Sequence, residues 1–187
     1  MLDKNELQAI KKCQSGNTES FGILYDKYIK KIYDFVYYKT MHKETAEDLV
    51  SDIFIKALDK INSFDAQKGS FNSWIYRIAR NTVIDHYRTQ KKDKNIDDVW
   101  DLSSNEDIAV DVDVRAQMEK VQEHLSKLKA EQRDIVVMRL WQGMSHKEIA
   151  DVLEKNESAV KVAYSRLISQ MRKEVLLLIL TWIVINI

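Results

Sequence analysis

The chain has 187 residues, 45% of them apolar, with no proline and four glycines, which suits one or two helical cores and leaves strands and hairpins without their usual punctuation. The lone Cys13 excludes an internal disulfide and fits a reducing compartment, while His42, His86, His124 and His146 lie too scattered to form a metal set. A net charge of zero hides an asymmetry: Asp93–Glu119 carries nine acids against two bases (−7), whereas 64–92 is +4 and 155–174 is +3.

The opening MLDKNELQ is charged from its third residue and has no apolar signal region, so a cytoplasmic placement is expected. From Thr18 to Tyr38, Phe21, Leu24, Tyr25, Tyr28, Ile32, Phe35 and Val36 recur at helical spacing. Lys43 to Ile61 forms a cleaner case, with Ala46, Leu49, Val50, Ile53, Phe54, Ala57, Leu58 and Ile61 at alternating three- and four-residue steps. The short Thr40–Lys43 connection suits antiparallel neighbours in a bundle. Asn62–Gly69 breaks the period, and a third helix over about Ser70–Gln90 shows Phe71, Trp74, Ile75, Ile78, Ala79, Thr82 and Val83 as its core stripe.

The acidic run Asp93–Asp111 has no sustained period and reads as a linker, in which Trp100 either docks on a neighbour or stands exposed. A second helical unit starts near Val112. Leu125 and Leu128 end its first helix, and Ile135, Val136, Met138, Leu140 and Trp141 mark its second. Ser145–Leu153 is then a short helix, and after a tight turn Asn156–Lys173 is a longer one. Its dry stripe is Val160, Tyr164, Leu167, Ile168 and Met171, with Ser158, Lys161, Ser165, Ser169 and Arg172 mainly opposite. A short helix followed by a longer basic one forms a helix-turn-helix whose second member fits the major groove. An ordinary αα-hairpin with a solvated face has the same pattern. The tail Val175–Ile187 has only Thr181 and Asn186 as polar residues and is too short to span a bilayer. It is expected to pack on the chain's own domains, with weak membrane or partner contact as the alternative.

Opposite the apolar stripe of Ser70–Gln90 lie Arg77, Arg80, Asn81, Ile84 and Arg88, with Tyr76, His86 and Tyr87 nearby. Arginines at helical spacing neutralise phosphates, and neighbouring aromatic rings can stack on unpaired bases. Trp74, inside the stripe, is expected to pack. The outer face of the Lys43–Ile61 helix carries Glu44, Glu47, Asp48, Ser51, Asp52 and Ile55. No second carboxylate motif converges on that face, so it suits a protein partner or plain solvation better than acid–base catalysis. With no glycine-rich phosphate loop, nucleophile elbow or metal set, a non-enzymatic chain without cofactor is expected.

Laid out in order, FGILYDKYIKKIYDFVYY, AEDLVSDIFIKAL, FDAQKGSFNSWIYRIARNTVIDHYR, LKAEQRDIVVMRLWQGMSHKEIADVL and NESAVKVAYSRL resemble bacterial sigma factors of the extracytoplasmic-function (ECF) type. The resemblance implies an all-α chain of two helical domains: residues 1–92 (region 2-like), an acidic linker 93–112, a region 4-like helix-turn-helix 113–174, and the tail 175–187. It places Asp48, Ser51 and Asp52 at the contact with core RNA polymerase, through the β′ coiled coil and the β subunit, with Phe54 packing inward. The face reading adds Ile55. It gives Phe64, Asp65, Lys68, Arg77, Arg80, Asn81, His86 and Arg88 to capture and melting of the −10 element, to which the aromatic reading adds Tyr76. Glu157, Ser158, Lys161, Val162, Ser165 and Arg166 fall to the −35 reader. Promoter DNA and an anti-sigma factor are the further partners implied.

Four positions depart from the usual pattern: Ser51 for glutamine, Lys129 for proline, Glu154 for a turn glycine offset by Asn156 as cap, and Ala163 for an arginine. Two rival readings stay open. A stand-alone helix-turn-helix regulator would have no use for the Ser70–Gln90 arginines, and a helical adaptor would show no salt-dependent DNA affinity.

Overall fold

A computed structural model describes residues 4–40, 42–90, 125 and 127–185 of the chain, with backbone alone for 90, 171 and 173–185. Every regular element among the described residues is helical. In chain order they are α1 (Lys4–Gln14), α2 (Phe21–Thr40), α3 (Lys43–Asp59), α4 (Phe71–Gln90), α5 (Ala130–Leu140), α6 (His146–Leu153) and α7 (Glu157–Ile185), with single 3₁₀ turns at Thr18–Ser20 and Ile61–Ser63.

The first domain is the bundle of α1 to α4. Leu24, Ile32 and Phe35 of α2, Ile53 and Ala57 of α3, and Phe71, Ile75 and Ala79 of α4 are sealed from water, which is what their three–four spacing requires. His42 starts α3: its Nδ1 accepts from the Thr45 amide at 3.2 Å. Ile61, placed by its period at the end of α3, is buried in the 3₁₀ turn that follows. Tyr25 stays exposed, meeting Phe54 edge-on at 4.8 Å.

The helix α1 was not anticipated. It buries Ala9, Ile10 and Cys13, and its last residue ties down the loop after α3, where Gln14 Nε2 donates to the carbonyls of Ile61 (3.0 Å) and Phe64 (2.9 Å). Its Glu6 is buried and accepts from Lys27 Nζ at 2.6 Å and from the Tyr28 hydroxyl at 2.9 Å. Burial, reinforced by the Glu6 charge, pushes the Tyr28 hydroxyl far above the usual phenol range, so it stays a donor.

In the second domain, Ile135, Val136 and Met138 of α5 pack with Met144, with Ile149 and Val152 of α6, and with Val160 and Leu167 of α7. Gln132 accepts from the Lys129 amide at 3.1 Å and so secures the entry to α5 where the resemblance would have placed proline. α6 opens on a reciprocal cap: the Ser145 hydroxyl accepts from the Glu148 amide (3.2 Å), and Glu148 accepts from the Ser145 amide (2.9 Å). It closes on Glu154, which adopts the left-handed conformation (φ 55°, ψ 43°) that a glycine would take without steric cost. Asn156 then caps α7 as expected, accepting from the Ser158 amide at 2.9 Å.

The backbone of α7 continues through the apolar tail as far as Ile185, so that segment prolongs the same helix. No helix among the described residues is long and apolar enough to cross a membrane. The expected packing of the tail side chains, the linker and the docking of Trp100 lie outside the described side chains and residues.

Glu154 is largely exposed and its ion pair with Arg77 is long, so little is lost with its side chain. Glu154→Gly is therefore expected to stabilise the chain by about 1 kcal/mol in urea unfolding. A loss of stability would show that the turn carries no backbone strain.

Candidate nucleic-acid interface

The outer face of α7 stands clear of the protein. Glu157, Ser158, Lys161, Val162, Ser165 and Arg166 are all exposed, while Val160 and Leu167 are buried against α5 and α6. This is the division expected from the sequence. The hydroxyls, the amine and the guanidinium can meet base edges and phosphates, and Val162 offers an apolar contact of the kind a thymine methyl makes.

The outer face of α3 is equally open. Asp48, Ser51, Asp52 and Ile55 are exposed, Ile55 at 57%, while Phe54 turns inward as expected. Beside them Tyr25, Ile29, Tyr33, Val50 and Ile55 line a shallow groove of about 450 Å³ between α2 and α3. An apolar groove rimmed by carboxylates suits a protein helix carrying basic residues.

The third surface is the loop 61–70 with α4. Asp65 stabilises the loop by accepting from the Gln67 amide at 2.9 Å, and Lys68 and Asn81 are exposed. Arg88 is 68% exposed and paired with Asp85 one turn away at 3.0 Å. His86 is half-buried, which lowers its pKa and favours the neutral ring at pH 7. Two expected contacts need correcting. Phe64 is buried edge-on against Phe71 and Trp74, each at 5.5 Å, so its ring belongs to the core. Trp74 packs there as anticipated. Tyr76 is fully buried, edge-on to Phe35 at 5.2 Å, and its hydroxyl donates to Gln142 at 2.8 Å, so it offers no ring to a base.

The Gln142 acceptor belongs to a contact between the two domains that the sequence did not disclose. A linker reading of Asp93–Asp111 says nothing of how the domains meet, and the second domain lies directly on α4. Asp134 of α5 is buried between two cations of the first domain: it accepts from Arg80 Nε at 2.8 Å and also pairs with Lys39. Arg77 Nη2 donates to the Asp151 carbonyl at 2.5 Å, and the guanidinium lies 3.5 Å from Glu154. Glu148 accepts from Asn72 Nδ2 (3.0 Å) and from the Ser70 hydroxyl (3.3 Å). Trp141 packs on Tyr38, ring centroids 5.4 Å apart. Two of the three α4 arginines expected to grip a strand therefore face carboxylates and carbonyls of the same chain, with side chains 41% (Arg77) and 23% (Arg80) exposed. Lys39, Asn72, Asp134 and Glu148 were not among the expected site residues. The one sequence sign was Asp134 itself, an acid beside the apolar run Ile135–Met138.

Comparison with known proteins fits this geometry. The family model Sigma-70 region 2 matches residues 24–93, and Sigma-70, region 4 matches residues 118–171. The ECF RNA polymerase sigma factor SigX of Bacillus subtilis is 32% identical over 169 residues, covering 86% of each chain. The ECF RNA polymerase sigma factor BldN of Streptomyces coelicolor is 33% identical over 176 residues, covering 89% of this chain, which spans 64% of BldN's length. The same fold occurs in the structure of CnrH in complex with the cytosolic domain of CnrY (TM-score 0.72, 22% identity, covering 92% of this chain and 97% of that one). It occurs also in the sigma factor RpoE from Bartonella quintana in complex with the anti-sigma factor NepR (TM-score 0.65, 18% identity, covering 83% and 96%).

Glu148 makes the contact between domains sensitive to acid. Burial would raise its carboxyl, but hydrogen bonds from the Ser145 amide, Asn72, and the Ser145 and Ser70 hydroxyls outweigh this and hold it below the usual carboxylate value. Stability from a depressed carboxylate is present above its unfolded pKa and is lost as pH falls through the folded one. Acidification below the ordinary carboxylate range should therefore loosen the packing of α6 on α4, read as faster amide exchange along α6. Asn72→Ala should move that loosening to higher pH, and an unmoved profile would remove Glu148 from the contact.

Proposed function

This chain belongs to the sigma-70 family, to the sigma factors of ECF type, and we propose that it binds core RNA polymerase and directs it to promoters. The exposed faces divide the labour. The α3 face with its neighbouring groove takes the polymerase core, through the β′ coiled coil and the β subunit. α7 reads the −35 element as duplex, and the loop 61–70 with Lys68, Arg77, Arg80, Asn81 and Arg88 takes the opened −10 region. An anti-sigma factor that covers these faces is a further partner. Such a chain acts in the cytoplasm, and the polymerase performs the chemistry, so no catalytic residue or cofactor of its own is required.

The observation that carries this reading is the exposed polar and basic face of α7 behind its capped turn, in a chain whose two halves match regions 2 and 4. The stand-alone regulator gains nothing from the open apolar groove beside α3, and the adaptor gains nothing from the α7 face. Splitting promoter recognition between two weak modules raises their joint affinity through tethering, and polymerase fixes their spacing.

Adding the purified chain to core polymerase should give run-off transcripts from selected promoters. Stable duplex binding without core, and no transcripts, would favour the regulator. Ile55→Asp should lower affinity for core roughly tenfold or more, since it replaces an apolar contact by an ionised group. Arg80→Ala should impair transcription from duplex promoters more than from templates that carry a pre-melted bubble, where a strand contact is lost but no opening is required. Equal loss on both templates would remove Arg80 from melting.

A further inference from the structure

The carboxylate of Asp134 is 3% exposed, yet its partners Lys39 and Arg80 both come from the other domain. Lys39 lies in the last turn of α2, where its ammonium is 5.3 Å from the centre of the Phe35 ring and is thereby held in place. Arg80 projects from α4 one turn beyond Arg77. The two helices so present a lysine and an arginine converging on one anionic group. A phosphodiester and a carboxylate each present two oxygens sharing one negative charge, and both accept charge-assisted hydrogen bonds from these donors.

We propose that Lys39 and Arg80 form a binding site for a backbone phosphate of the opened promoter strand, and that in the free chain Asp134 occupies this site in place of the phosphate. The site rests on the promoter-opening reading and adds Lys39 to it. Asp134 is then an intramolecular competitor, and its neighbours extend the substitution: Asp151 through its carbonyl and Glu154 through its carboxylate hold Arg77, the next cation along α4. The contact is suited to exchange. Removing ions from water cancels much of the attraction of a buried pair, so the closed state gains little net stability from it. An incoming phosphate replaces the carboxylate without leaving either cation bare. Arg77 Nε, buried without an acceptor among the described residues, gains the chance of one when the domains part.

The test uses the full chain and a mixed-sequence single-stranded oligonucleotide of about 20 nucleotides, since phosphate contacts do not read bases. Asp134→Asn should bind it roughly tenfold more tightly than the unaltered chain at about 0.1 M salt, because the competent state is no longer taxed by closure. Adding Lys39→Gln should reverse several-fold of that gain and flatten the dependence of log K on log salt by about 0.7, the share of one single-strand phosphate contact. A folded Asp134→Asn chain that binds no more tightly overturns the proposal, as does an unchanged salt slope on loss of Lys39, or absence of binding by both proteins.

Asp134 is buried and its replacement could weaken folding, so the unaltered chain supplies a second measurement. Saturating oligonucleotide should raise the radius of gyration of the protein component, read by neutron scattering with the nucleic acid contrast-matched, as the domains separate. Bound oligonucleotide with an unchanged radius overturns the proposal. Run-off transcription by the unaltered chain with core polymerase tells the two failures apart: transcripts with no Asp134 effect sink only this site, and no transcripts sink the broader reading.

Discussion

α4 has to satisfy opposite demands on its two sides, and the arrangement of the whole chain follows from how it does so. Phe71, Ile75, Ala79 and Val83 bury one side against α2 and α3, which fixes the helix as the floor of the first domain. The other side carries Arg77 and Arg80, whose guanidinium groups cannot enter an apolar core without anionic partners. The second domain supplies them from α5, α6 and the turn after α6. On the same helix Ser73 and Tyr76 are buried as well, and Tyr76 finds its acceptor in Gln142. Charge matching comes first in fixing which surfaces can face each other, and apolar contacts such as Trp141 on Tyr38 supply the exclusion of water that a buried ion pair does not.

That order explains which parts of the molecule could be read in advance. The α3 stripe is almost wholly local: one face meets one bundle, so spacing alone placed Ala46, Leu49, Val50, Ile53, Phe54 and Ala57 correctly inside. The cap at Asn156 and the turn at Glu154 were legible for the same reason, since both obey rules set within a few residues. Tyr76 failed because its partners come from other elements, Phe35 of α2 against its ring and Gln142 of the second domain at its hydroxyl, and no helical period of α4 encodes them. Phe64 failed differently: a loop aromatic looks available in sequence, but Gln14 of α1 anchors the Phe64 carbonyl and turns the ring inward. α1 itself is short, with charged residues throughout, and its apolar positions Ala9, Ile10 and Cys13 are too few to outweigh its charge in a periodicity reading. What the sequence lacked was the tertiary partner, and each miss falls where one intervenes.

Asp134 illustrates how a buried ion pair differs from a buried hydrophobic contact in what it allows. An apolar interface of similar extent would be stabilised mainly by exclusion of water and would resist any polar ligand. A carboxylate held by Lys39 and Arg80 can be replaced by any oxyanion of comparable reach, because the cations retain a partner throughout. Tethering strengthens the internal carboxylate only moderately, since it raises local concentration without adding contacts.

The two nucleic-acid faces are not affected equally by this closure, and their difference implies an order of events on the proposed function. Every candidate reading residue of α7 remains exposed while α5 and α6 cover α4, because the recognition helix presents the side of the second domain away from Asp134 and Glu148. Duplex can therefore meet Lys161, Val162, Ser165 and Arg166 in the closed chain, whereas a parted strand cannot reach Arg80 until Asp134 has left it. Reading of intact duplex at one end is thus compatible with either state, and full gripping of opened strands at the other requires the domains to separate. On the proposed exchange, Lys68, Asn81 and Arg88 are open to a parted strand in either state, and Arg80 with Lys39 joins them once the second domain has moved, so full strand capture follows separation of the domains.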